Sequence, residues 1–285
     1  MNELITRILS GIIYAALIVT GLWFGKLSTF IIFMILGLLC LIEVQKLLSF
    51  QNYLCYLIYP TALVITYFYF DIDSVLVNRV IFGLIIITFF VKLLLLRDLF
   101  SLKGRETFRE KKHIITLLFI IPSFIFLTLI PEILIVQDNN GFLPNSEENY
   151  STFILFSVFL LMWINDSFAY LIGKNFGKNK LFEKISPKKT VEGFLGGFIF
   201  TIVGGVVLSY FSDLMNFYHW VVLGILVSLF GTLGDLVQSK FKRKADVKDS
   251  GRILPGHGGV FDRMDSIIFS STFALGFLFL IQNVS

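Results

Sequence analysis

Long apolar runs separated by short polar segments dominate this chain. A helix needs about 20 mostly apolar residues to cross a bilayer, and nine runs approach that length. They lie at about 8–25, 28–48, 53–70, 76–96, 114–136, 152–172, 193–211, 217–238 and 265–282. Pro60 and Pro122 fall inside the third and fifth runs, where membrane helices tolerate proline. The pattern predicts an all-α, polytopic integral membrane helix bundle with about nine transmembrane helices.

Composition supports a membrane protein over a soluble domain. The 285 residues are 56% hydrophobic and only 15% charged, whereas about a quarter of the residues in soluble proteins are charged. Arg7 precedes the first apolar run, but no small-residue cleavage pattern follows, so we expect a retained span. Cys40 and Cys55 lie in apolar runs. Two isolated thiols form neither a zinc site nor a disulfide scaffold, so we expect buried free cysteines.

Basic residues are concentrated in three connecting segments, which predicts the orientation in the membrane. Segments 97–113, 174–192 and 239–263 together hold 19 of the 24 Lys and Arg residues. Segments 137–151 and 212–216 hold none. Because basic loops stay on the cytoplasmic side, nine spans place the N-terminus inside and the C-terminus outside.

Polar residues divide the chain into two regions. We predict N-terminal membrane helices, about five spans, in residues 1–150 and a C-terminal catalytic membrane region with cytoplasmic loops in residues 151–285. The second region carries Asn, Asp, Gly and Lys at the predicted inner membrane face. No internal repeat is visible, whereas many transporters are built from inverted repeats.

Two upstream segments in the second region are candidates for ligand binding. An intramembrane charge costs a few kcal/mol at the bilayer centre, so Asp166 either faces water at a helix end or faces a ligand in an inward cavity. In the segment 184–193, lysines and hydroxyls could bind phosphate, or the segment could be a helix cap with ordinary cytoplasmic lysines. Gly193 and Gly197 form a G-x-x-x-G pair typical of close helix packing.

The densest polar cluster extends from the end of the eighth run into the ninth. Acids alternate there with seven Lys and Arg residues; the acids are Asp235, Asp246, Asp249, Asp262 and Asp265. Carboxylates bind Mg²⁺ together with substrate phosphate, and Lys and Arg neutralise the remaining phosphate charge. Gly256, Gly258 and Gly259 permit close backbone approach to a ligand. The mixture favours metal–triphosphate binding over a purely basic membrane-surface patch, which would contain few acids.

These residues resemble the signature of the phosphatidate cytidylyltransferases (CDP-diacylglycerol synthases). The resemblance runs through Ser239-x-Phe241-Lys242-Arg243, Lys248-Asp249-x-Gly251 and Leu254-Pro255-x-His257-Gly258-Gly259-Val260-x-Asp262-Arg263-Met264-Asp265. Two upstream segments are also similar: Asp166-Ser167-x-Ala169-Tyr170 and Ser186-Pro187-Lys188-Lys189-Thr190-x-Glu192-Gly193. Ser167 and Val191 stand where the family usually has Thr and Trp. Neither departure touches an acid or a cation.

The resemblance implies an activity, a cofactor and a set of site residues. CTP and phosphatidate would give CDP-diacylglycerol and diphosphate, with Mg²⁺, on the cytoplasmic face of the cell (inner) membrane. Metal binding would fall to Asp235, Asp262 and Asp265, and the reaction to Asp235, Asp262, Lys248, Asp249 and Arg263. CTP and its phosphates would be bound by Asp166, Ser186, Lys188, Lys189, Thr190, Lys242, Arg243, His257, Gly258 and Gly259. A second cation and a homodimer are left open, and no nucleic-acid partner is expected.

A CTP-dependent lipid kinase of the polyprenol or dolichol type is the alternative function. It would transfer the γ-phosphoryl group of CTP to a lipid alcohol. The complete stretch from His257 to Asp265 favours the cytidylyltransferase. A CDP-alcohol phosphatidyltransferase would show an Asp-Gly-x-x-Ala-Arg pattern, which is absent from the sequence.

Overall fold

The described part of the chain forms nine helices and one short β-hairpin. The computed structural model describes residues 3–70, 74–100, 112–133, 152–256 and 258–284. The helices are α1 (Glu3–Trp23), α2 (Lys26–Leu47), α3 (Cys55–Tyr69), α4 (Val75–Phe100), α5 (Lys112–Ile133), α6 (Thr152–Phe176), α7 (Val191–Ser209), α8 (Phe217–Lys244) and α9 (Phe261–Val284). Each predicted apolar run lies largely on one of these helices, so the all-α bundle is confirmed.

Helix length and composition support a polytopic membrane protein. Seven of the helices in the described residues are long and apolar enough to cross a membrane, and two apolar stretches, Leu9–Trp23 and Cys55–Tyr69, are shorter. Large apolar side chains are exposed on the outer helix faces, among them Ile12, Ile35, Leu57, Phe68, Phe90, Ile199 and Val203. Soluble monomers rarely expose extended apolar patches. Lipid tails would cover these faces in a bilayer.

The β-hairpin is a feature that the apolar pattern does not predict. Strands β1 (Lys180–Phe182) and β2 (Ser186–Thr190) pair antiparallel, with Lys180 opposite Thr190 and Phe182 opposite Ser186. The two strands are short and rich in lysine, so they lack the alternating apolar pattern of a half-buried strand. The hairpin joins α6 to α7 and lies over the ends of both helices.

Helix α5 contains a π-helical turn that ends two residues before a proline. The turn spans Thr116–Ile120. Pro122 has no N–H to bond the carbonyl of Leu118, and such a loss disturbs an α-helix locally. The Ser123 hydroxyl donates a 2.6 Å hydrogen bond to the Phe119 carbonyl. The helix therefore accommodates the distortion inside the bundle. This agrees with the expectation that a membrane helix tolerates Pro122.

Glycines bring α6 and α7 into close contact. A Cβ atom at Gly193 would overlap the Ala169 carbonyl, and one at Gly197 would overlap the Asn165 carbonyl. The packing role of the G-x-x-x-G pair is therefore confirmed. Cys40 and Cys55 are buried and free, also as expected.

Most polar side chains of the predicted site lie at one end of the bundle. The C-terminal ends of α2, α4, α6 and α8 meet the N-terminal ends of α7 and α9 there. Lys240 on α8 donates to the Asp98 carbonyl at the end of α4, and Arg243 Nε donates to the Ile185 carbonyl in the hairpin at 3.4 Å. We call residues 43–47, 97–100, 166–193, 232–256 and 258–265 the polar end. At the opposite end, Lys26 Nζ pairs with Glu132 Oε1 at 2.8 Å.

Candidate functional site

A cavity opens at the polar end between the hairpin and helices α6, α7 and α8. Its volume is about 500 Å³, which falls within the roughly 300–1,000 Å³ of typical ligand sites. Five residues from the predicted site line it: Asp166, Lys188, Lys189, Thr190 and Asp235. Tyr170, Leu181 and Phe194 add apolar wall. The cavity therefore combines lysines, carboxylates and apolar surface within reach of the membrane-spanning helices.

An ion pair crosses this cavity from the hairpin to α8. Lys189 Nζ lies 2.5 Å from Asp235 Oδ2, and both side chains are partly exposed. The Ser239 hydroxyl, one turn along α8, donates to Asp235 Oδ1 at 3.2 Å. Burial acts to lower the pKa of Lys189, but the Asp235 carboxylate outweighs it and the pKa is raised. Lys189 is therefore held as a cation beside a carboxylate, where it can bind an anionic ligand.

The two alternatives for segment 184–193 apply to different residues. Thr190 is the N-cap of α7, because its Oγ1 accepts a hydrogen bond from the Gly193 N–H at 3.1 Å. Glu192 accepts hydrogen bonds from the backbone N–H groups of Lys178 and Asn179 and fixes the base of the hairpin. Lys188 and Lys189 face the cavity. Ser186 begins β2 and does not belong to the cavity wall in the part of the chain that is described.

Asp262 forms a second centre, in the first turn of α9. Its Oδ1 accepts from Lys242 Nζ at 2.8 Å. Its Oδ2 accepts from the Ser250 N–H at 2.8 Å, the Ser250 hydroxyl at 3.0 Å and the Gly259 N–H at 2.9 Å. The side chain is nearly inaccessible, so Asp262 organises the loop between α8 and α9.

Lys242 connects this centre to the cavity. Asp235, Ser239 and Lys242 lie on one face of α8, because they follow the spacing of successive helical turns. Lys242 pairs with Asp262 and also interacts electrostatically with Asp235. Asp265, half-buried one turn beyond Asp262, interacts electrostatically with Asp235 and with Lys242. The structure thus brings the three predicted metal ligands to the same end of the bundle.

Most of the remaining predicted residues lie on the loop after α8 or on the adjoining ends of α8 and α9. Lys248 and Asp249 are exposed on the loop after α8, Arg243 is exposed near the end of α8, and Arg263 is exposed on α9. Gly258 has φ of 86°, a left-handed conformation that favours glycine. It pairs with Leu254 across a short bridge. His257 lies outside the described residues, so its assignment stays a prediction.

Some carboxylates fit a divalent cation better than others. Within the described ranges, no three His, Cys, Asp or Glu side chains converge on a ready-made metal site. Mg²⁺ is usually held by one or two carboxylates while substrate phosphates complete its shell. Asp235 and Asp265 are like charges close enough to interact, so a cation between them would relieve their repulsion. Asp262 uses both oxygens in hydrogen bonds and fits a supporting role better.

Two residues that the sequence analysis did not select contribute to the site. Asn165 on α6 is buried, accepts from the Ser228 hydroxyl at 2.6 Å and donates to Asp166 Oδ1 at 3.3 Å. Glu43 on α2 is buried and accepts hydrogen bonds from the start of α9. Each residue places a polar group inside an apolar run, the amide of Asn165 and the carboxylate of Glu43, and such a group can indicate a functional residue. Their partners are distant in sequence and could not be inferred from it.

These observations define a class: a polytopic membrane protein whose cationic and acidic cavity suits a phosphate-rich ligand. The chain belongs to the cytidylyltransferase family, which it matches over residues 5–281. This result confirms the resemblance seen in the sequence.

Individual relatives match over part of the chain. Phosphatidate cytidylyltransferase of Staphylococcus aureus is 53% identical over 119 residues. The enzymes of the same name from Staphylococcus epidermidis and Staphylococcus haemolyticus are 52% and 50% identical over 118 residues. Each alignment covers 41% of this chain and 45% of the relative. The chain thus spans somewhat less than half the length of these curated relatives.

Proposed function

We propose that this protein is a phosphatidate cytidylyltransferase, a nucleotidyltransferase that converts CTP and phosphatidate to CDP-diacylglycerol and diphosphate for phospholipid biosynthesis. The observation that carries the proposal is the Lys189–Asp235 pair inside the basic cavity at the polar end. Membership of the cytidylyltransferase family supports it, as do the names of the staphylococcal relatives.

The reaction joins two anions, and the cavity residues fit that task. A phosphate oxygen of phosphatidate attacks the α-phosphorus of CTP and forms a new P–O bond. The bond between the α-phosphorus and the bridging oxygen to the β-phosphorus breaks, and diphosphate leaves with the electron pair. Lys188 and Lys189 lower the repulsion between the reactants and hold the triphosphate in place. No covalent intermediate on the protein is required.

Mg²⁺ is proposed as the cofactor, held by Asp235 and Asp265 with Asp262 in support. When bound, it would neutralise charge on the triphosphate and on the leaving diphosphate. Lys242 holds Asp262 in position through their 2.8 Å contact. A second cation and a homodimer stay predictions of the sequence resemblance.

Nine transmembrane helices with the N-terminus inside and the C-terminus outside are the proposed topology. The hairpin and the loop after α8, which carry many of the basic residues, meet at the polar end. The positive-inside rule would then place this end in the cytoplasm of the cell membrane. Helix α3 has 15 residues, or about 22 Å at 1.5 Å per residue. It would span only with local thinning of the bilayer or with snorkelling flanks.

Isotope position in CTP separates the proposed function from the lipid kinase. Purified protein is incubated with phosphatidate, or with a polyprenol, and with CTP labelled in either the cytosine or the γ-phosphate. We expect cytosine label in the lipid product and γ label in diphosphate. Transfer of γ label to lipid without cytosine would instead identify a lipid kinase.

A further inference from the structure

The carboxylate of Glu43 joins the N-terminal helices to the candidate site. Glu43 lies on α2 and is 2% exposed. Its Oε1 accepts from the Val260 N–H at 3.1 Å, and its Oε2 accepts from the Phe261 N–H at 2.8 Å. The first N–H groups of a helix have no partner within that helix. Glu43 therefore caps α9 from another helix, and its negative charge suits the positive end of the α9 dipole.

The loop before α9 is shaped around this carboxylate. A Cβ atom at Gly251 would overlap Glu43 Oε1, and one at Gly259 would overlap Glu43 Oε2. From the sequence, Gly259 is expected to permit close approach of a ligand. In the structure, the space beside Gly259 holds the Glu43 side chain. The Gly259 N–H donates to Asp262.

One serine hydroxyl connects Glu43 with Asp262. Ser250 Oγ lies 3.0 Å from Glu43 Oε2 and 3.0 Å from Asp262 Oδ2. Asp262 is in the first turn of α9 and Asp265 follows one turn later. A shift of the start of α9 would move both acids relative to Asp235, which is fixed on α8.

The packing of α2 does not depend on this carboxylate. Cys40, Leu41 and Val44 flank Glu43 and are fully buried in the apolar core. The Glu43 carboxylate accepts hydrogen bonds from Ser250, Val260 and Phe261, which lie in the loop between α8 and α9 and at the start of α9. Removing the charge should therefore loosen that loop while leaving α2 in place.

We infer that Glu43 is a positioning residue for the proposed cytidylyl transfer: it sets the start of α9 and with it the positions of Asp262 and Asp265 relative to Asp235. The inference rests on the proposed function for its effect on rate. Its structural part, protection of the α9 start by Glu43, can be tested in the ligand-free protein.

Glu43→Gln keeps the size of the side chain but replaces one acceptor oxygen with an amide that cannot accept an N–H. The full-length protein is studied in detergent. Hydrogen exchange at the Val260 and Phe261 amides is measured without ligand, and kcat and KM are measured with CTP and phosphatidate. We expect exchange at these amides to rise roughly tenfold or more. We expect kcat to fall about 10- to 100-fold, with the KM for CTP within about twofold of wild type because Lys188 and Lys189 are untouched.

Glu132→Gln is the matched control, because Glu132 pairs with Lys26 at the opposite end of the bundle. It should change neither the exchange at the α9 start nor kcat. Unchanged exchange in Glu43→Gln would overturn the inference, and so would faster exchange with a wild-type kcat or a rise in KM alone. If wild type makes no CDP-diacylglycerol, the proposed function fails, while the exchange data still test the link from Glu43 to α9.

Gly251→Ala keeps the Glu43 carboxylate, so it covers the case in which Glu43→Gln does not fold. Gly251→Ala introduces a Cβ that pushes on the Glu43 carboxylate, and Glu43→Ala removes that contact. We expect Gly251→Ala to lower kcat and to speed exchange in the wild-type background. In the Glu43→Ala background it should have a much smaller effect, because the atoms that it displaces are gone. Equal effects in both backgrounds would count against the inference.

Discussion

Lys242 Nζ lies 2.8 Å from Asp262 Oδ1, and the two side chains are only 15% and 4% exposed. The pair joins the end of α8 to the start of α9 and closes the loop that carries most of the sequence motif. The predicted site is therefore held together by this contact as well as by the Lys189–Asp235 pair in the cavity.

Lys242→Met should destabilise the protein and abolish activity. Removing one partner of a buried ion pair leaves an uncompensated charge and costs about 3–5 kcal/mol. Lys242→Arg keeps the charge and should retain part of the activity. Thermal unfolding in detergent and the CTP-labelling assay measure both effects. Lys46→Met is the control, since Lys46 is exposed at the end of α2; a similar loss there would show that any lysine at this end is needed.

Asp235→Asn and Asp262→Asn should distinguish an acid needed only for the reaction from one that also stabilises the fold. The Asp235 side chain is 29% exposed, so its amide should leave the melting temperature within a few degrees of wild type and remove lipid labelling. In Asp262→Asn, the new NH₂ group faces either the Ser250 and Gly259 N–H donors or the Lys242 ammonium group. Either arrangement places donor against donor, so both melting temperature and activity should fall. A stable, active Asp235→Asn variant would contradict the assignment of Asp235 to the reaction.

The apolar pattern was sufficient for the helices, because each run of apolar residues must be buried or face lipid. Charges near the ends of the apolar runs pointed to Asp166 and Asp235, since such charges mark cavities and membrane surfaces. The lysines and hydroxyls of segment 184–193 pointed to Lys189. The pairing of Lys242 with Asp262 and the cap from Glu43 depend on how distant helices pack. Local spacing carries no information about such contacts. The hairpin was missed because its lysine-rich strands resemble a loop.

Removal of divalent cations should stop the reaction, and loss of a carboxylate that binds the cation should raise the Mg²⁺ concentration that the enzyme requires. We expect wild-type activity to vanish with excess EDTA and to return with Mg²⁺. Asp265→Asn removes one of the two carboxylates that fit the ion, so half-maximal activity should require about tenfold or more additional Mg²⁺. The Mg²⁺ dependence of initial rate measures this shift. Full activity of wild type in EDTA would contradict the proposed cofactor.

Asn165→Ala should weaken the contact between α6 and α8 that supports Asp166. The Ser228 hydroxyl donates to Asn165 Oδ1 at 2.6 Å, and both residues are buried. Loss of the amide leaves that hydroxyl without its partner, at a cost of about 1–3 kcal/mol. Ser228→Ala alone should cost less, because the Asn165 amide also approaches Thr232 and Asp166.

The double variant tests whether these two side chains act together. If the hydrogen bond is the main link, Ser228→Ala should have little further effect in the Asn165→Ala background, with a coupling of about 1 kcal/mol. Melting temperature in detergent provides the stability measure, and the KM for CTP reports on Asp166 at the cavity wall. Additive losses of stability would show that the two residues stabilise the bundle separately. The hydrogen bond from Ser228 to Asn165 would then not be what positions Asn165 beside Asp166.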